Sequence, residues 1–372
     1  MKLFILIIAI SGTSCFTAAQ QGTINRLKYK LNTATDDMVK AATLDSIAMY
    51  YLFFTDKPDS SFYYINDQVN HAFNLEDKKN LILGYARLGF YYLNTSQYKA
   101  SLDISFKGIN LSEEYDIPDY LSALFYNASW VYNNIGDPSS ALNSAFDGLR
   151  YLKNNKDPFM DQQLHILGLI GNIYLDSNEY DSAHYYFNKV DSLSYISNEL
   201  AAKDISNWYQ GMYYLFNKNY SRADSIFSTG IRRCEKNGDF LLNVFNLFLA
   251  QSYFNQGKIN EAISAAKRAM IISESLNDHG DAQGSASLLY DCYNKTGNRD
   301  SAFQYLKISD SLRALVLSKG NASQVQQVRF DRQLGLKEKE EQKVLQNEKN
   351  RTYVFLTALV FFSYYCWHTM EK

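Results

Sequence analysis

Proline is nearly absent from this chain of 372 residues, which carries only Pro58, Pro118, Pro138 and Pro158. Proline removes a backbone donor and clashes with the preceding turn of a helix, so the long stretches without it leave room for many helices. Net positive charge is lacking too: a formal charge of -2 and a pI near 6.2 supply no basic field for a phosphate backbone. Nucleic acid is therefore not an expected partner. Cysteine is sparse, and of the four, Cys15 and Cys366 lie in hydrophobic end segments. Cys234 and Cys292 are left for the rest of the chain. One disulfide between them stays open in an oxidising compartment, although helical arrays commonly bury lone cysteines as small apolar side chains.

Reactive constellations are missing as well. His71, His165, His184, His279 and His368 have no metal-ligand spacing with the cysteines, and no nucleophile signature is present. The glycines do not form a strand-to-helix phosphate loop. The expectation is a chain that is not an enzyme and uses no metal or cofactor.

The two ends carry apolar segments. Met1 to Ala19 has a positive start at Lys2, an apolar run from Leu3 to Ile10 and small residues at Thr17, Ala18 and Ala19, the layout of a secretion signal. The alternative is lipidation at Cys15, although Gly12, Thr13 and Ser14 lack the aliphatic residue usual before such a cysteine. Thr352 to Met370 is 19 residues free of Asp, Glu, Lys and Arg. At about 1.5 Å per residue it spans roughly 28 Å, enough for a transmembrane helix, with a buried terminal helix as the alternative. Together these place residues 20–351 outside the cytoplasm, periplasmic in a Gram-negative cell, with 371–372 as a cytoplasmic tail. Lys349 and Arg351 outside against Lys372 inside run counter to the usual charge bias.

What is abundant is tyrosine, 30 residues of it. Aligning Tyr51, Tyr92, Tyr132, Tyr174, Tyr214, Tyr253 and Tyr293 gives spacings of 41, 40, 42, 40, 39 and 40. Three residues before each stand Ala48, Gly89, Ser129, Gly171, Gly211, Ala250 and Tyr290, small in all but the last. Nine residues after each stand Ser60, Ser101, Ala141, Ala183, Ala223, Ala262 and Ala302, all small. Small residues in two such columns let the helices of a hairpin cross closely, with the Tyr filling the gap beside the crossing. Gly136, Gly257 and Gly297 fall where a first helix would end in a left-handed cap. Tyr290 implies a wider crossing in the last unit.

A small residue, Tyr, a turn and then Ala, as in Gly171, Tyr174, Tyr180, Ala183 and Phe187, resembles the tetratricopeptide (TPR) repeat family over about residues 41–317. The period near 40 departs from the family's 34. The expected fold is all-α: a TPR-like α-solenoid of about seven helix hairpins behind an N-terminal capping helix at 20–40. A charged helix at 318–351 and the transmembrane helix at 352–370 follow. The opening segment, repeats, charged helix and span together are similar to TPR-bearing membrane sensors of Bacteroidetes-type bacteria, without their cytoplasmic output domain. In the 318–350 segment a dimeric coiled coil, and with it a homodimer, is the sharper alternative to a solvated helix, although Arg332 and Gly335 interrupt the seam.

The TPR resemblance implies that first helices line an inner groove that binds protein or peptide, at positions six and two before the repeat Tyr and one and two after it. Those positions hold Phe90, Asn94, Tyr126, Trp130, Asn133, Asn134, Asn172, Trp208, Met212, Phe216 and Asn255. Any one aromatic among them is as readily explained by packing between repeats. The expected function is a membrane-anchored binding module in a sensory or regulatory role, with an envelope scaffold as the alternative.

Overall fold

The computed structural model describes residues 22–54, 58–152, 160–197, 200–237, 241–276 and 278–319, and short stretches between 324 and 357. Two compact units divide the chain, residues 1–322 and 323–372. In the first, helix α1 (22–33) precedes seven antiparallel hairpins. These pair α2 (Asp37–Phe54) with α3 (Pro58–Asn74), α4 (Lys78–Asn94) with α5 (Tyr98–Tyr115), and α6 (Leu121–Asn134) with α7 (Pro138–Leu152). Next come α8 (Met160–Asp176) with α9 (Tyr180–Ser197) and α10 (Leu200–Phe216) with α11 (Tyr220–Asn237). The last are α12 (Leu242–Asn255) with α13 (Ile259–Ser275) and α14 (His279–Lys295) with α15 (Arg299–Lys319). The expected boundary between cap and repeats at residue 40 falls inside α2.

Each repeat Tyr ends a first helix. In six hairpins its carbonyl accepts the N–H five residues on, as in Gln97 to Tyr92 at 2.7 Å, Asp137 to Tyr132 at 2.9 Å and Glu179 to Tyr174 at 2.8 Å. This closure needs a left-handed residue four after the Tyr. Gly136, Gly257 and Gly297 occupy it at φ 76°, 77° and 74°, and Ser96, Asn178 and Lys218 occupy it at 59°, 62° and 59°. The ring then stacks on the second helix: Tyr51 on Tyr64, Tyr174 on Tyr186 and Tyr293 on Tyr305, with centroids 5.5 to 5.7 Å apart.

Crossings are complementary in size. A Cβ on Gly108 would lie 2.7 Å from Leu124, and one on Gly230 would lie 2.6 Å from Phe245. At the matching positions α9 carries the larger Val190 and α10 the smaller Ser206. Bulk on one helix is thus taken up by its absence on the next. Phe187, Tyr209, Phe227 and Phe245 are buried in one core spanning α8 to α12, each worth roughly 1.5–3 kcal/mol of transfer free energy. Cys234 and Cys292 are buried and not joined in a disulfide.

Several expectations need correction. The small column of the first repeat is Ser61, which is buried, and not Ser60, because α2 runs three residues past Tyr51 where α4 runs two past Tyr92. The last hairpin packs as extensively as the others despite Tyr290, whose ring sits half-buried while Leu289 and Cys292 fill the interior. The C-terminal transmembrane helix is not part of the fold: no helix among the described residues is long and apolar enough to cross a membrane. Lys343, Lys349 and Arg351 charge the described helical stretches there, and apart from 352–354 and 357 the expected span lies outside the described residues. The fold class is therefore an all-α solenoid without that element. The signal segment 1–19 and tail 371–372 also lie outside the described residues. Those described in 324–351 are helical.

Candidate functional site

Successive first helices touch one another, α2 to α4 and onward to α14, while among the described residues no successive second helices pack to a comparable extent. A stack in which only one set of helices meets must curve toward that set, so the first helices line the inner face. Cross-links along it come from the residue five before the repeat Tyr on α4, α6 and α10. Arg87 donates from Nε and Nη2 to the Asp45 carboxylate at 2.7 and 3.1 Å, and Asn127 Nδ2 donates to the Ala86 carbonyl at 2.9 Å. On α10 the same position is Tyr209, whose ring lies against the bare backbone of Gly168 on α8. Any larger residue at 168 would displace that ring.

Around this point the aromatic side chains gather. On α6, the Trp130 and Tyr126 rings meet edge to face at 6.4 Å. Tyr126 also meets the His165 ring of α8 at 6.0 Å. Burial pushes the Tyr126 phenol up to about 12, so it is neutral at any ordinary pH, and burial, with Tyr126 nearby, holds the Tyr209 phenol well above its ordinary range. Trp208 stacks on Tyr209 at 4.8 Å. At the end of the helices, partial desolvation raises the Asp176 carboxyl above its ordinary range, and the nearby Asn133 amide counters this in part.

Two polar atoms here are buried without a hydrogen-bond partner among the described residues: the Asn172 amide oxygen on α8 and the Trp208 indole nitrogen on α10. Asn172 is 9% exposed. Such atoms ordinarily cost about 1–3 kcal/mol each unless something pairs with them.

The expected groove residues therefore separate into groups. Tyr126, Trp130, Asn133, Asn172 and Trp208 occupy adjoining stretches of α6, α8 and α10. Phe90 is half-buried one repeat earlier, its carbonyl accepting from the Asn94 amide at 2.8 Å. Asn94, Asn134, Asn255 and Phe216 are exposed at helix ends. Met212 is buried at 5% exposure in the core shared by α8 to α12, where the large rings beside it close the position off from the groove. Sequence reasoning missed His165, Asp176 and Tyr209. His165 stood without a ligand partner, and Tyr209 signals itself only through Gly168 one repeat before.

No family model matches this chain, and no curated protein matches it. Among solved structures it is similar to a Rap protein complexed with competence and sporulation factor, at 12% identity and TM-score 0.55, covering 80% of this chain and 93% of that one. It is also similar to the apo form of RapI, at 16% identity and TM-score 0.42, covering 69% of this chain and 99% of that one. A tetratricopeptide repeat protein from Parabacteroides merdae matches at 14% identity and TM-score 0.46, covering 76% of this chain and 98% of that one. At these identities the likeness speaks to fold and not to the membrane-sensor resemblance. The chain has a TPR-like fold.

Proposed function

We propose that this protein is an interaction module that holds a protein segment or peptide along the inner face of α6, α8 and α10. The observation that carries this is the unpaired acceptor of Asn172 and the unpaired donor of Trp208 on neighbouring first helices. A peptide group supplies a complementary N–H and carbonyl, which two apolar surfaces do not. Tyr126, Trp130 and His165 add aromatic surface for a side chain beside it. The similar Rap protein holds competence and sporulation factor, which supports a binding role for this fold. Placement outside the cytoplasm, resting on the 1–19 segment, and a sensory or regulatory role belong to the same proposal.

Selection of a displayed random-peptide library on the immobilised full chain tests it. Enriched peptides are expected to bind the wild type and to lose binding to Trp208→Phe, which keeps the ring and removes the donor. No enrichment over bare support, or equal binding to Trp208→Phe and Asn172→Leu, contradicts the assignment.

A further inference from the structure

The joint between α12, α13 and α14 is built around two carboxyl groups. Asp278 caps α14, its Oδ1 accepting from the Asp281 N–H at 3.0 Å. A single nitrogen, Asn243 Nδ2 on α12, lies 2.9 Å from Asp281 Oδ2, 3.4 Å from Asp278 Oδ2 and 3.3 Å from Ser273 Oγ at the end of α13. Asn243 and Ser273 are both buried. An amide nitrogen has two hydrogens, so it does not satisfy three acceptors at once. Two carboxylates converging on one amide nitrogen in a part-buried site favour a further proton between them.

The two acids are not equivalent. Asp278 sits at a helix N-terminus and accepts a backbone N–H, which favours its anion. Asp281 is the member left to carry the proton and donate it to Asp278. We propose that Asp278, Asp281 and Asn243 form a proton-operated latch that holds the α14–α15 hairpin onto α12 and α13. With the proton shared, all three helices are tied together. Without it, two like charges face each other in a buried joint and the last hairpin loosens.

Burial and the neighbouring Asp278 carboxylate hold Asp281 well above the ordinary carboxylate range. His279, which follows Asp278 at the start of α14, is a further titratable group at this joint, and Asp281→Asn leaves it in place, so a wild-type to variant comparison cancels its contribution. Asn243 from α12 and Ser273 from α13 are neutral, and the Tyr98 phenol of α5, which feels Asp278, is itself raised, chiefly by burial. On the side of α14 toward α15, Gln283 donates to Ser309 at 3.1 Å, again without a charge. Because the folded pKa lies above the unfolded one, the latch's contribution is complete below the ordinary carboxylate pKa. It is lost as pH rises through the raised folded value.

Cys292, buried in the last turn of α14 in the core shared with α12 and α13, reports release of the hairpin. Full-length wild type and Asp281→Asn are treated with a thiol reagent at about pH 5 and about pH 9, and Cys292 labelling is followed by mass spectrometry. An amide at 281 mimics the protonated acid at every pH, and the wild-type to variant ratio at one pH cancels the reagent's own dependence. The ratio is expected near one at the lower pH and clearly above one at the higher, where the wild-type joint has lost its proton and the variant has not. A ratio that does not change with pH overturns the latch. Should Asp281→Asn fail to fold, Asp278→Asn keeps a capping side chain, leaves one carboxyl, and is expected to give the same pH-dependent ratio.

Discussion

Alanine at Gly230 and at Gly284 should shift stability in opposite directions, although both are the same change inside a helix. Each substitution gains up to about 1 kcal/mol, because glycine loses more backbone freedom on folding than alanine does. At Gly284 the nearest neighbour of the new methyl is Leu247 Cδ2 at 3.5 Å, an ordinary contact, so the gain stands. At Gly230 the methyl would lie 2.6, 2.7 and 2.8 Å from Phe245 Cζ, Cε1 and Cε2, and Phe245 is fully buried in the α8 to α12 core. Carbon pairs favour about 3.5–4.0 Å, so α11 and α12 must separate by roughly 1 Å or the ring must leave its rotamer. Overpacking of this kind costs about 1–3 kcal/mol, and three close contacts on a ring with nowhere to move place it near the upper end. The net expectation is a loss of about 2 kcal/mol for Gly230→Ala against a gain of about 0.5–1 kcal/mol for Gly284→Ala. Thermal unfolding followed by circular dichroism reads the sign. In a double-mutant cycle, Phe245→Leu should relieve at least about 1 kcal/mol of the Gly230→Ala loss. The packing account is refuted if both alanines move the midpoint the same way, or if Phe245→Leu and Gly230→Ala are additive.

Two further predictions concern buried polar groups. Gln68 on α3 is fully buried, with neither amide atom hydrogen-bonded among the described residues, so Gln68→Met should raise stability by about 1–2 kcal/mol, and a lowered urea midpoint would contradict this. Arg233 Nη2 lies 2.5 Å from the Asp204 carboxylate, which is 1% exposed. Arg233→Met strands that charge and should cost about 3 kcal/mol, whereas adding Asp204→Asn should restore most of it, and a double variant no better than the single would show that the pair does not act as a unit.

The repeat was legible because the features that encode it are local. Tyr174 closes its own helix and stacks a dozen residues further on Tyr186, so a fixed spacing carries both jobs. The turns were legible only where they hold glycine. Lys218 takes the same left-handed conformation as Gly136, yet nothing in a lysine announces it. The first repeat slipped by one position because α2 runs one residue further past its Tyr than the other first helices do, which composition does not reveal.

The candidate site was half legible for a related reason. Tyr126 and Trp130 lie four apart on one helix, so periodicity puts them side by side. Tyr209 reaches the same place only because Gly168, a repeat earlier and on another helix, leaves the space. Met212 looked like a groove residue by register, but whether that register faces the groove or the core depends on how large the adjoining rings are. Columns give position along a helix, and the size of neighbours decides what is exposed.

The central claim, that one inner face of α6, α8 and α10 binds a peptide, is tested most directly by calorimetric titration of a library-selected peptide into the full chain and two variants. Trp130→Ala should weaken binding at least tenfold, about 1.4 kcal/mol. Tyr195→Ala, at an exposed position on α9, should leave it within about twofold, since no contact there takes part. Unchanged affinity in Trp130→Ala together with lost affinity in Tyr195→Ala would place the ligand on the second helices and contradict the account.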